Sequence, residues 1–422
     1  MPNIKTSIKA PMSAEYPASL PTEIWLSIIE QIPEVRTLNN LRRVSSRLYA
    51  IATPAAFTNL DLPDTVRGLK ALREISQTPI VSRAVKTLKL VLVGPRDDHH
   101  RYIRGGITSG YKKKPVATMF LGVASHFPAL QTLDIRVGRN VGQFVHANPV
   151  VGELMLVNAT LHTTPPARLR ALKLSGLTLF PRFAVWSDAT AATLQALTSL
   201  ELNFGLQTDP EIMVRMLLWD GAFAGPSSIV PLLQPWRRSG QWSLTHLILS
   251  ASKESPAYHG FQRMHDAVFP NLVSLRIKHM VFRFPDPPIL RTEPGALEEF
   301  IMRHTTLQAL VLDDCMLQTD SGVNPRPYRS WAALCSQFSR ALPHLVALSI
   351  YRHDFYPRPH DFICRRFPLG YASELGDVFD RSVFCDPAAA ARDVEALQAL
   401  GQEVRSRAER CQASLAEGAL QI

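Results

Sequence analysis

The sequence is short of the features that mark most catalytic, secreted and membrane-spanning chains. Its 422 residues hold only 5 cysteines: Cys315, Cys335, Cys364, Cys385 and Cys411. The count is odd and no two are spaced as CxxC, which excludes a zinc ribbon and a dithiol redox pair. Reduced thiols of the cytosol or nucleus are the simple account. No apolar run approaches the roughly 18 residues of a helical membrane span. The opening MPNIKTSIKAPMSAEYPAS lacks the apolar centre of a secretory leader and reads as a polar, disordered tail.

Catalytic signatures are missing as well. There is no HExxH and no GxSxG elbow. Gly105 and Gly110 have the glycine spacing of a phosphate loop, but Tyr111 stands where a lysine must reach the phosphates. His99-His100 has no further ligand at a defined spacing. Cys364 beside Arg365-Arg366 has a cationic setting that favours a thiolate, but nothing marks a general base for it. The expectation is a non-catalytic protein without cofactor or metal. Charged residues make up 19% and hydrophobic residues 46%, which fits a globular chain. The net charge of +10 permits acidic partners, but the bases are spread along the chain, which points away from nucleic acid.

What is present begins with a dense pattern near the N-terminus. Leu20-Pro21 opens it, and proline suits a helix start because its missing N–H is unpaired there. Ile24, Trp25, Ile28, Ile29 and Ile32 follow at helical spacing, predicting an amphipathic helix that Pro33 ends. Leu38, Leu41 and Val44 recur at threes. Ser45-Ser46 offers a cap for a further helix carrying Leu48, Ile51, Ala52 and Ala55, with Pro54 predicting an end or kink near Thr53. Three short helices in about forty residues bury too little surface to stand alone, and without cysteine the natural remedy is a partner.

These residues resemble a known family. Leu20-Pro21-x-Glu23-Ile24, the Ile28-Ile29 pair, Leu38-x-x-Leu41-x-x-Val44-Ser45, Leu48-Tyr49 and the trailing Ala56-Phe57-x-x-Leu60-x-Leu62 are similar to the F-box. The resemblance covers about a tenth of the chain and departs from the family at Ser46, where a basic or bulky residue is more usual. It implies binding to a Skp-type adaptor and, through it, to a cullin–RING ubiquitin ligase. The positions it sets against the adaptor are Leu20, Pro21, Ile24, Ile28, Val44, Ser45 and Leu48.

A second pattern, apolar-x-x-apolar-x-apolar, recurs nine times. It starts at Phe57, Val85, Leu130, Leu169, Leu197, Leu244, Leu272, Leu307 and Leu345, at intervals from about 28 to about 47 residues. The last two apolar positions flank one polar residue, as in a short strand with one buried face. One such strand cannot offset the entropy of ordering it, so neighbours must stack. Helical stretches are expected between them at Val66–Ile75, Ala189–Leu197, Glu211–Trp219 and Leu297–His304. The pattern resembles degenerate leucine-rich repeats with insertions. Two insertions stand out, 94–115 with Lys112-Lys113-Lys114-Pro115, which reads as a solvated run or an import signal, and 221–241.

After Asp386-Pro387, Val394, Leu397, Gly401, Val404, Ala408, Cys411 and Leu415 alternate at threes and fours. A helix covering the last repeat is the expected use, because open repeat ends need a cover.

The expected fold is therefore α/β. A disordered tail at 1–17 precedes a three-helix F-box at 18–62. An irregular leucine-rich-repeat solenoid with a parallel sheet follows at 63–385, and a C-terminal capping helix at 386–422. In such a sheet the residues between and after the last two apolar positions face the concave side. Lys89, Asp134, Arg136, Lys173, Glu201, Arg276, Lys278, Asp313 and Tyr351 are the candidate target contacts, with Asn203, His246 and Ile248 beside them. Their mixed signs suit a protein or peptide. Together with the resemblance they imply the substrate-recognition subunit of a Skp–cullin–F-box ligase, acting by proximity in the cytoplasm or nucleus. The alternative is an F-box scaffold outside a ligase. Neither a membrane nor a nucleic-acid partner is expected.

Overall fold

The computed structural model describes residues 20–63, 66–92, 123–137, 168–177, 188–204, 243–251, 268–282, 294–319, 329–351, 370–375, 378–380 and 387–419. The expected tail, the insertions 94–115 and 221–241, the helix at 211–219, and Cys364 and Cys385 lie outside these residues.

All nine apolar motifs become strands. They are β1 (Asn59–Pro63), β2 (Thr87–Leu92), β3 (Thr132–Val137), β4 (Ala171–Leu177), β5 (Ser199–Phe204), β6 (His246–Ala251), β7 (Ser274–Lys278), β9 (Ala309–Asp313) and β11 (Ala347–Tyr351). They form one parallel sheet in chain order. A second, four-stranded sheet has the order β13-β12-β10-β8, from β8 (Val281–Phe282), β10 (Met316–Thr319), β12 (Gly370–Leu375) and β13 (Val378–Asp380).

The register follows from the motif. Its middle leucines align strand to strand, from Leu60 opposite Leu88 to Leu310 opposite Leu348. The last apolar positions align likewise, from Leu62 opposite Leu90 to Leu312 opposite Ile350. The first positions, from Val85 through Leu130 and Leu169 to Leu345, are 1% exposed or less. Each such buried side chain contributes about 1.5–3 kcal/mol. One carbonyl before each strand also accepts from two successive N–H groups of the next. Thr58 O takes Lys86 and Thr87, and the same step recurs down to Gln308 O with Val346 and Ala347. A one-residue slip would break this step and turn every leucine to the wrong face. One bulge interrupts the register, at Gly176, whose φ of 77° suits glycine.

Helices cover the leucine face. α4 (Val66–Gln77), α6 (Asp188–Gln195), α7 (Ala296–Arg303) and α8 (Trp331–Ala341) share one core with the strands through Leu72, Leu194, Phe300 and Phe338. α5 (Pro79–Ser82) is a single turn after α4. Three of the four expected helical stretches are thus present, and α8 is an addition.

The expected leucine-rich-repeat solenoid is corrected to an α/β arrangement built on a parallel sheet. The strand unit recurs, but the connecting element does not. Among the described residues it is a helix and a single turn after β1, a 3-10 turn at Val123–His126 before β3, and one helix each before β9 and β11. These described connections are unequal, and among the described residues the second sheet grows beside the later strands.

At the other end of the chain, α1 (Thr22–Glu30), α2 (Val35–Leu41) and α3 (Ser46–Ala56) close around Ile29, Leu38, Ala52 and Ala56. Pro21 is the cap of α1 rather than a residue of its first turn, and its carbonyl accepts from Ile24 and Trp25. Ser45 caps α3, its hydroxyl accepting from Leu48 N–H at 3.2 Å. Pro54 does not end α3, which continues to Ala56. The Thr53 hydroxyl donates to Tyr49 O at 2.5 Å and the ladder resumes with Phe57 N–H on Thr53 O. Phe57 packs against both the helical core and the sheet core, so the two are joined without a spacer.

α9 (Pro387–Ala419) is the C-terminal helix. It lies along α8 in the same direction and grips both its ends. Asp393, 2% exposed, accepts from Ala332 N–H at 2.8 Å beside the Ser330 cap. Arg407 donates to Leu342 O at 2.7 Å and Ser339 O at 2.9 Å. An acid at a helix start and a cation at its end both suit the helix dipole. Leu400 and Val404 are the buried apolar residues of this contact, whereas Cys411, which shares the spacing of threes and fours, is exposed.

Candidate functional site

Two surfaces carry the residues singled out in the sequence. The first is the outside of α1–α3. Ile24 and Ile28 lie four residues apart on one stripe of α1 and are 46% and 40% exposed. Val44, in the turn before α3, is 62% exposed, and Pro21 and Ser45 are exposed as well. Arg47 brings the two halves of the motif together. Its Nη2 donates to Leu20 O at 2.8 Å and reaches Thr22 Oγ1 at 3.2 Å, tying the start of α1 to the start of α3. The sequence reading did not include Arg47, because a side chain that reaches across 27 positions leaves no periodic signal.

Leu48, by contrast, is 8% exposed within α3 and does not share the exposure of these positions. Ser45, though exposed, already uses its hydroxyl as a cap. Three further apolar residues are exposed here: Leu26, Val35 and Tyr49. Arg42 braces the surface from behind. Its guanidinium lies 5.0 Å from the Tyr49 ring centre and 4.8 Å from that of Phe57, and it bonds Thr53 Oγ1 and Asn39 Oδ1. A cation desolvated between two rings adds about 0.5–2 kcal/mol per contact.

The second surface is the sheet face opposite the leucines. Asp61, Lys89, Asp134, Lys173 and Glu201 stand in one register row across β1–β5. Lys89 pairs with Asp61, and Lys173 with Glu201 at 2.8 Å. Asp134 is taken by Arg136 of its own strand at 3.1 Å. That bond, with Asp61 and Glu201 further off, raises the Arg136 guanidinium above its ordinary value. The row continues through Ile248, Arg276, Val311 and Ser349. Beside it, Asn203, Ser250, Lys278, Asp313 and Tyr351 align in the next row. The sheet thus brings eight of the nine candidate target residues to one face by register, and sets Tyr351 at the register position beside Asp313.

Buried titratable groups elsewhere serve the core. His304 Nδ1–H donates to Phe300 O at 2.6 Å while Nε2 accepts from Phe269 N–H at 2.9 Å, and burial pulls its pKa down to about 4. Burial pushes Glu298 up to about 7 against the Arg329 guanidinium 3.0 Å away. The Cys315 and Cys335 thiols are pushed up to about 12 by burial. Among the described residues no group of three or more His, Cys, Asp and Glu is placed to hold a metal ion, and no helix is long and apolar enough to cross a membrane.

The chain matches no protein-family model and no curated protein.

Proposed function

We propose that this chain is a target-holding subunit of a Skp–cullin–F-box ubiquitin ligase. α1–α3 serve as its F-box and the leucine-free sheet face as its target surface. The observation that carries the reading is the exposure of Ile24, Ile28 and Val44 on a short helical unit whose buried apolar cluster is small, Ile29, Leu38, Ala52 and Ala56. A small unit that leaves large apolar side chains in water is incomplete without a partner. Those three are adaptor positions in the F-box resemblance, and Arg47 holds their two segments together. The chain contributes position rather than chemistry. The helical unit is joined to the sheet through Phe57, so a target on the sheet is kept near the ubiquitin carrier at high effective concentration.

Co-purification of the full chain with a Skp-type adaptor and a cullin tests this. Wild type is expected to bring down both, and a Leu20→Ala/Pro21→Ala pair or Ile28→Asp neither. Adaptor without cullin would favour a scaffold outside the ligase. No adaptor would remove the reading and leave α1–α3 as a cover for β1.

A further inference from the structure

The leucine-free face is two surfaces with different charge balance. Over β1–β5, Lys89, Arg136 and Lys173 are matched by Asp61, Asp134 and Glu201, three cations to three acids. An incoming charge there must displace a partner already in place. Over β6–β9 the row changes character. Arg276 has Ile248 in register on one side and Val311 on the other, where β1–β5 carry charges. Both are half-buried. The acid of this sector is Asp313, 2.8 Å from Arg276 and 4.0 Å from Lys278. Its side chain is only 6% exposed, whereas Arg276 and Lys278 keep 40% and 30% of theirs. Among the described residues of these two register rows, two cations stand against one acid, and the cations are the more exposed side chains.

We propose that this sector holds an extended segment of a target protein through one acidic side chain, aspartate or glutamate, on Arg276 and Lys278, with a neighbouring apolar side chain on Ile248 or Val311. The proposal rests on the target-binding reading of this face and narrows it to one sector and one chemistry. The Arg276 fork gives one N–H to Asp313, and a guanidinium has five, so donors remain for a carboxylate. The flanking apolar side chains exclude water from that bond, which strengthens it. Charge selects the carboxylate over a phosphate. One negative charge completes the balance, whereas a phosphate near −2 leaves an excess beside Asp313.

The test uses the full chain and an array of short synthetic peptides in which one glutamate is walked through a leucine- and serine-containing sequence. The best binder is remade with a fluorescent label in glutamate, glutamine and phosphoserine forms. The glutamate form is expected to bind about tenfold tighter than the glutamine form, and at least as tightly as the phosphoserine form. Arg276→Gln should erase that preference, and Arg276→Lys should keep part of it. A Glu299→Gln/Arg303→Gln pair, an exposed ion pair on α7 away from this face, should leave it intact. The proposal is overturned if no glutamate peptide beats its glutamine form, if phosphoserine binds best, or if the preference survives Arg276→Gln. Loss of the preference in the Glu299/Arg303 pair would also overturn it. Circular dichroism checks that each variant is folded, and Lys278→Gln carries the test should Arg276→Gln unfold. Adaptor co-purification on the same proteins separates the two readings. Glutamate preference without adaptor sinks the ligase and keeps this inference, and adaptor without glutamate preference does the reverse.

Discussion

His279 and Asp314 occupy the same place at the ends of adjacent strands β7 and β9. Both have φ of 54°, both are buried, and His279 Nδ1 lies 3.2 Å from Asp314 Oδ2. Around them His279 N–H donates to Asp313 O, Met316 N–H donates to Met280 O, and the Cys315 thiol donates to Ile277 O. This left-handed step turns the chain out of the main sheet and into the second one. Non-glycine residues hold it at some cost, which aspartate and asparagine bear better than most. Asp314→Asn is therefore expected to cost under about 1 kcal/mol. Asp314→Val adds a β-branched strain and removes the histidine contact, for about 2–3 kcal/mol. Urea denaturation measures both, and equal midpoints would show that the step makes no such demand.

His304 and Glu298 stand at opposite ends of α7 and pull the pH profile in opposite directions. His304 titrates near 4 when folded against an ordinary 6.5, so the unfolded chain takes a proton that the folded one refuses. Its contribution is whole above about 6.5 and is lost as pH falls towards 4, to a total of about 3 kcal/mol. Glu298 titrates near 7 when folded against an ordinary 4.5, so here the folded chain keeps a proton that the unfolded one releases. Its contribution is whole below about 4.5 and is lost as pH rises through 7. Between about 4.5 and 6.5 the two slopes oppose each other. Glu298→Gln is expected to become less stable on acidification across that window relative to wild type, and His304→Gln more stable. Denaturation midpoints across the window check this, and parallel profiles in the two variants would refute it.

Much of the sheet was legible because its signal is local. Each strand carries its two inward leucines and the one before them within six residues, and a parallel sheet covered on that face needs nothing else. The polar face was legible for the same reason, since alternation assigns Lys89 or Arg276 to it once Leu88 and Leu275 are inside. The second sheet was not. β8 is two residues long, and the turns before β8 and β10 use histidine and aspartate where glycine would have marked a positive φ. The spacing Leu307-x-x-Leu310-x-Leu312-x-x-Cys315-x-Leu317 does run past β9 into this turn, a longer signal than the strand motif alone. α8 carries a plain helical pattern, Ser330 as cap and then Trp331, Leu334, Cys335 and Phe338, which counting strand motifs does not reach. The outward residues of α1–α3 were half legible. Ile24, Ile28 and Val44 are outside, but periodicity cannot tell whether Leu48 faces a partner or its own core.

Asp393 and Arg407 hold α9 on α8 from a 33-residue helix whose later residues are exposed. Truncating either to alanine leaves a helix end of α8 short of its partner. Each is expected to cost about 1–3 kcal/mol, as buried polar groups do when unmatched. The loss should appear first as faster amide exchange along α9, with the β1–β6 core unchanged. Glu409→Ala, on an exposed position, serves as the control. Uniformly faster exchange over the whole chain would mean that α9 is part of one cooperative core rather than a separately docked cover.

Val44 and Ile29 separate adaptor binding from folding of α1–α3. Val44 is 62% exposed and Ile29 is 2% exposed at the centre of the α1–α3 core. Val44 precedes the Ser45 cap without taking part in it, and an exposed substitution usually changes stability by less than about 0.5 kcal/mol, so Val44→Asp should melt close to wild type. Ile29→Asp puts a carboxylate into a four-residue core and should unfold the three helices. If α1–α3 bind an adaptor through their outer face, both variants lose it, but only Ile29→Asp loses helix signal and gains protease sensitivity over residues 20–56. A Val44→Asp chain that keeps the adaptor while Ile29→Asp loses it would place the contact elsewhere on the helices. The exposed Leu26 and Val35 are then the next positions to change, because they are the remaining large apolar side chains of α1 and α2 that face water.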